Sequence, residues 1–164
     1  LAPLQAHCQH VLSVVLAHKN QLAQAIVAAS SAASLEPDNG LRLVHLAGLL
    51  ETYGNHEGAV MALTKAVAIA PDQVEAQCGL ARILEQQGRP AEALAGLQRF
   101  GRRHPENVDV LCQLANLLER AGCLSANGGM LNQALRNAPT NQALARRLAE
   151  LVLAEPTVQV RRMD

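Results

Sequence analysis

The chain has 164 residues, of which 49% are hydrophobic and 17% charged, a composition that can bury a core and argues against intrinsic disorder. Fourteen Lys plus Arg balance fourteen Asp plus Glu, so the chain lacks the basic excess with which duplex binders displace counterions. One Phe, one Tyr and no Trp leave it without the stacking platforms of single-strand readers, and nucleic acid is not the expected partner.

The chain opens on Leu1 rather than Met and reads as a fragment or a processed product. Its apolar stretch from Val11 to Leu16 is too short for a membrane span and lacks the basic flank of a signal peptide, so membrane insertion is not expected. Cys8, Cys78, Cys112 and Cys123 form no C-x-x-C pair and are too sparse for a disulfide scaffold. That fits a reducing, cytoplasmic compartment, with a periplasmic one as the alternative.

Four of the seven prolines, Pro37, Pro71, Pro105 and Pro139, recur every 34 residues. In the same register stand Asn20, Gly54, Gly88 and Gly122; then Leu12, Leu46, Leu80 and Leu114; then Leu16, Leu50, Leu84 and Leu118. Small residues repeat at Ser13, Ala47, Ala81 and Ala115, and again at Ala25, Ala59 and Ala93, with Asn127 breaking that series. The period divides the chain into units near 6–39, 40–73, 74–107 and 108–141, a further helix near 142–154 and a tail at 155–164.

The first unit opens with a helix carrying His7, His10 and His18 near one face. Such imidazoles could ligate a metal or form a pH-dependent surface, but no complete ligand set is visible, and unrelated surface histidines are the expectation. Asn20 ends this helix in a left-handed turn. A second helix follows, with the small-residue run Ala28, Ala29, Ser30, Ser31, Ala32 and Ala33, which allows close contact with a neighbouring helix. In the second unit Leu43, Leu46, Ala47 and Leu50 follow the i, i+3, i+4, i+7 stripe of an amphipathic helix. Gly54 supplies the left-handed residue that ends it, and Ala59, Leu63, Ala66 and Val67 mark a second helix stopped by Pro71. Asn39, Asn107 and Asn141 stand two residues past a proline, where a side-chain oxygen can cap the next helix; Gln73 is the poorer fourth case. In the third unit Pro90 stands at the start of the second helix, where the missing N–H is tolerated. In the fourth, Asn127-Gly128-Gly129 predicts a second helix that starts late or frays. Each unit is thus a helix–turn–helix too thin to bury its own stripe, so neighbours must stack.

This pattern resembles the tetratricopeptide repeat family. The second unit carries the motif as Leu43, Leu46, Ala47, Leu50, Gly54, Ala59, Leu63, Ala66 and Pro71; the third as Gln77, Leu80, Ala81, Leu84, Gly88, Ala93, Leu97, Phe100 and Pro105. The fourth departs at Asn127. The first, with Gln9, Leu12, Ser13, Leu16, Asn20, Ala25, Ala29, Ala32 and Pro37, is weaker, and Leu replaces the usual aromatics throughout. The resemblance implies an all-α, right-handed superhelical solenoid of stacked antiparallel helix pairs, about four repeats plus a C-terminal capping helix, forming one array over 1–164.

It also implies a concave groove lined by the first helices, where a protein or peptide partner binds. Carried over by register, the groove residues are His10, Leu41, Val44, Glu75, Cys78, Arg82, Asp109, Cys112, Asn116, Arg120 and Arg146. His7, Val14, His18, Gly48, Glu51, Glu85, Glu119 and Glu150 lie in the same rows. The clamp with which some relatives grip a chaperone's terminal carboxylate falls here on His10, Val14, His45, Glu75 and Gly79, so that clamp is absent. Leu41 and Val44 form an apolar step beside mixed charge, suited to a partner with an apolar anchor flanked by both signs. Cys78 and Cys112 share one groove position one repeat apart, too far for an unstrained disulfide.

No metalloprotease, P-loop, dinucleotide-binding or nucleophile-elbow motif is present, and His56-Glu57 lacks the second histidine of a zinc site. The reading is a non-enzymatic interaction module with no cofactor or metal. The alternatives are an oligomerising spacer that associates through the ends of the array and its Ala/Ser-rich helix, or the accessory repeat domain of a larger enzyme.

Overall fold

The structure is a computed structural model and describes residues 2–104 and 106–120. Among these residues every regular element is a helix: α1 (Ala2–His18), α2 (Leu22–Leu35), α3 (Gly40–Thr52), α4 (His56–Ile69), α5 (Val74–Gln86), α6 (Pro90–Arg103) and α7 (Val108–Arg120). The period is visible in the backbone. Helices α2, α4 and α6 begin at 22, 56 and 90, and helices α3, α5 and α7 at 40, 74 and 108, in each case 34 residues apart.

The turns explain this regularity. Asn20, Gly54 and Gly88 all hold positive φ, at 60°, 89° and 72°. At each, the next residue's N–H reaches back to a carbonyl of the last turn: Gln21 to Leu16, Asn55 to Leu50 and Arg89 to Leu84, at 2.8–2.9 Å. A left-handed residue is what allows that reversal, and asparagine is the residue besides glycine that adopts it most readily. The turns between pairs are equally uniform, with Asn39 N–H donating to Glu36 O and Gln73 N–H to Ala70 O at 3.1 Å. Asn39 caps α3 by accepting from Leu41 N–H at 3.2 Å, and Asn107 accepts from Val110 N–H at 3.2 Å. Gln73 makes no cap; its side chain lies over Gly40 instead, where a Cβ would meet its Oε1 at 2.6 Å. Asn55, not anticipated from the sequence, caps α4 through Gly58 N–H at 2.9 Å.

The chain divides into two compact units, Leu1–Phe100 and Gly101–Asp164. In the first, α2 packs on both α1 and α3, and α4 on both α3 and α5. Where α1, α2 and α3 meet, Ala25, Ala29 and Leu49 are buried, with Leu16, Leu22, Ile26 and Leu46 around them. A second cluster joins Leu43 and Ala47 of α3, Ala59, Leu63 and Ala66 of α4, and Ala76 and Ile83 of α5, with Ala33 of α2 at its edge. The small-residue series are deeply buried: Ser13, Ala47, Ala81, Ala25, Ala59 and Ala93 are all 0–4% exposed. They sit where two helix backbones approach, and a larger side chain there would force them apart. The alanines of the Ala/Ser-rich helix (Ala25, Ala28, Ala29, Ala32 and Ala33) are therefore consumed inside the unit. Ser31 and Ser34 donate back to carbonyls of their own helix.

The leucine series expected on the buried stripe fares differently. Leu114 is fully buried, but Leu46 and Leu80 are half-buried and Leu12 is 46% exposed, whereas Leu49 and Ile83, three residues after Leu46 and Leu80, are buried. Those later positions face the second helix of the preceding pair.

In the second unit α7 buries Val110, Leu111, Leu114 and Leu117. The turn at Gly122, the break at Asn127-Gly128-Gly129, the prolines Pro105 and Pro139, the cap Asn141 and the terminal helix lie outside the described residues.

Candidate functional site

The 34-residue register places the expected groove of the first unit in rows across α1, α3 and α5: His7, Leu41 and Glu75; His10, Val44 and Cys78; Val14, Gly48 and Arg82. Of the apolar step, Leu41 is 65% exposed and lines an open depression of about 770 Å³ with Leu35, Pro37, Asn39, Ala70 and Gln73. Val44 is half-buried and packs against the core, so Leu41 presents the exposed part of the step. Glu75 is exposed and Cys78 half-buried.

His10 does not gather with His7 and His18 but meets His45 of α3, their ring centroids 4.6 Å apart and edge-on at 75°. Beside them lies Ser13, fully buried. Its hydroxyl donates to His10 O at 2.7 Å and lies 2.8 Å from His45 Nε2. A hydroxyl has one proton, so with that proton on the carbonyl the imidazole must donate, which places a proton on Nε2 of His45. Beside the pair, Glu36 accepts from Arg42 Nε at 3.1 Å and from Asn39 Nδ2 at 2.9 Å. Burial, the Arg42 guanidinium and His7 hold the His10 imidazole below its usual pKa, against the opposing pull of Glu36. Burial, His10 and Arg42 do the same to His45. Both shifts favour the neutral imidazole at pH 7, and His10 Nδ1 is buried without a partner.

One pair further along, the guanidinium of Arg82 on α5 engages both carboxylate oxygens of Glu51 on α3, Nη2 donating to Oε2 at 2.7 Å. That contact holds Glu51 below the usual carboxylate range. Two of the charged groove positions are therefore already joined to each other across neighbouring helices. Planar two-point pairing of this kind fixes geometry as well as charge. The offsets tell why local spacing missed both contacts. Arg82 follows Glu51 by 31 residues, one period less one helical turn, and His45 follows His10 by one period plus one residue.

Between these contacts lies Gly48, exposed in the middle of α3. A Cβ there would meet nothing within 4 Å, whereas one at Gly79 would touch the Leu63 methyls at 3.4 Å. The Gly48 carbonyl accepts from Thr52 Oγ1 at 2.8 Å. No packing inside the unit requires glycine at position 48, although glycine weakens a helix by about 0.5–1 kcal/mol relative to alanine.

In the second unit, Cys112 and Asn116 are half-buried on α7 and Arg120 is exposed in its last turn. The side chain of Asp109 and all of Arg146 lie outside the described residues. Among the described residues no group of three or more His, Cys, Asp or Glu is placed to hold a metal ion. No described helix is long and apolar enough to cross a membrane. The described surface offers imidazole, guanidinium, carboxylate and aliphatic groups spread along α1, α3 and α5.

Residues 52–111 match the model of a tetratricopeptide repeat family. No curated protein matches the chain in sequence. Among solved structures, the chain resembles the crystal structure of MamA, with a TM-score of 0.69 and 16% identity over 91% of this chain and 81% of that one. It resembles PilF of Pseudomonas aeruginosa with a TM-score of 0.66 and 18% identity, over 93% of this chain and 69% of that one. The first such domain of Spaghetti (RPAP3), bound to the HSP90 peptide SRMEEVD, aligns with a TM-score of 0.62 and 14% identity, over 72% of this chain and 94% of that one. At these identities the likeness is one of fold, and that fold is a stack of tetratricopeptide helix pairs.

Proposed function

Starting from a fold and a sequence segment that are those of tetratricopeptide repeat proteins, we propose that this chain is a non-catalytic interaction module that docks a partner peptide or helix along its first helices. The observation that carries the reading is Gly48. An exposed mid-helix glycine with open space above it gives up helix stability without an internal return, and it lets another backbone come close. Leu41 supplies an exposed aliphatic contact on the same helix, and the Arg82–Glu51 pair offers both signs of charge across the α3–α5 boundary. A partner with an apolar anchor flanked by opposite charges suits that surface. The peptide-bound relative supports the class of ligand, though the carboxylate clamp positions here hold His10, Val14, His45, Glu75 and Gly79, so a chaperone tail is not the partner chosen. In the second part of the sequence the same register positions are Asp109, Cys112, Asn116, Arg120 and Arg146.

Peptides selected from a displayed random library on the 164-residue chain test this. Binders should lose at least about tenfold in affinity, or 1.4 kcal/mol, on Gly48→Gln, a change that favours the helix and fills the open space. The proposal fails if no peptide is enriched, or if the enriched peptides bind Gly48→Gln as well as they bind the unmodified chain.

A further inference from the structure

The outer side of α1 carries a surface that the groove does not use. Leu4, Cys8, Val11 and Val15 follow one another at intervals of four, three and four residues, the spacing of an apolar helix–helix seam. All four are exposed, Leu4 at 67%, Val11 at 46% and Val15 at 44%. Beside this ridge runs a groove of about 430 Å³ between α1 and α2, lined by Leu12, Leu16, Val27 and Ala28 among others.

The register identifies what this surface is. One period on, Leu4, Cys8, Val11, Leu12 and Val15 become Asp38, Arg42, His45, Leu46 and Leu49. Three of these face the pair before: Leu46 and Leu49 pack on Ala25 and Ala29 of α2, and His45 meets His10 and Ser13 of α1. The outer side of α1 is therefore a stacking face with no described neighbour. An apolar stacking face calls for cover, and two polar positions of α3, Arg42 and His45, together with Asp38 just before that helix, become Cys8, Val11 and Leu4. Charge points to the occupant. Neither α1 nor α2 contains a single Asp, Glu, Lys or Arg, so the face offers no charge by which to select a foreign partner and no like-charge repulsion against itself. Its shape, a ridge alongside a groove, is self-complementary, as a two-fold contact requires.

We propose that two copies of this chain pair through the outer face of α1, the ridge of each seated in the α1–α2 groove of the other. Sedimentation equilibrium of the 164-residue chain should give a concentration-dependent mass rising to twice 17.4 kDa. Val11→Glu with Val15→Glu should hold it at 17.4 kDa with an unchanged helical spectrum, since both side chains are exposed in the single copy. A chain that stays at the mass of one copy at every concentration overturns the proposal, as does a dimer that survives the double substitution. Cys8 gives a second reading that needs no variant. Its alkylation by iodoacetamide, mapped by peptide mass spectrometry, should slow several-fold as the chain is concentrated, and a rate independent of concentration overturns the proposal as well.

Discussion

The first and second helix pairs share a register but not a fate. Ser13 and Ala47 are equally buried, and so are Ala25 and Ala59, because each pair closes around its own small residues. The stacking positions diverge. Leu49 is buried against α2, while Val15, one period earlier, is 44% exposed. The same sequence position is core where a neighbour exists and surface where none does, so in a stacked fold burial belongs to the boundary between units as much as to the residue.

Three measurements would break or sharpen that comparison. The largest effect is expected at the stacking position itself. Leu49→Ala should cost about 2–4 kcal/mol in urea melts, as truncation of a buried leucine does, whereas Val15→Ala should stay within about 0.5 kcal/mol in the single copy. Equal losses at the two positions would mean that the outer face of α1 is covered in solution, as pairing of two copies would cover it. Next comes the groove row. Gly48→Ala should stabilise the chain by about 0.5–1 kcal/mol, because the added methyl meets no neighbour and the unfolded chain loses freedom. Destabilisation would show that the second pair is packed more tightly at Gly48 than its surroundings indicate.

The smallest effect concerns how the boundaries are held, by neutral imidazoles between α1 and α3 and by an ion pair between α3 and α5. The folded chain holds His10 and His45 below their ordinary pKa of about 6.5. The unfolded chain therefore binds more protons, and the stability these rings contribute is complete above pH 6.5 and declines as pH falls below it. Glu36 and Glu51, depressed below 4.5 by their arginine partners, lose their contribution only in more acid solution. Urea melts between pH 7.5 and 5.5 should show the decline, and His10→Gln with His45→Gln should flatten it. An unchanged slope in the double variant would remove the imidazole pair from the boundary.

Much of the fold is legible in the sequence because its signals are local. Asn20, Gly54 and Gly88 mark the reversals, Asn39 and Asn107 the caps and Pro90 a helix start, each through the conformational preference of one residue. What is harder to read depends on the neighbour. Helix α3 carries Leu43, Val44, Leu46, Leu49 and Leu50, an apolar sector too wide for periodicity to say which of them stacks. Of the expected groove, Leu41 is where an exposed contact should be, while Arg82 is engaged by Glu51 and His10 by the stack with His45. Those pairings join residues 31 and 35 positions apart. Only the period itself, used as a ruler between adjacent helices, would have revealed them.

The constancy of the turns has one more consequence. Because Gln21, Asn55 and Arg89 close the same reverse bond, and Asn39 and Gln73 the same link between pairs, the chain can be edited in whole quanta. Removing 34 consecutive residues, wherever the cut falls between α1 and α6, rejoins like to like and leaves every downstream stripe in phase. Removing one residue fewer would rotate all that follows by roughly 100°. Lengthening or shortening by gene duplication and loss is thus open to this architecture, and drift by single insertions inside its helices is closed.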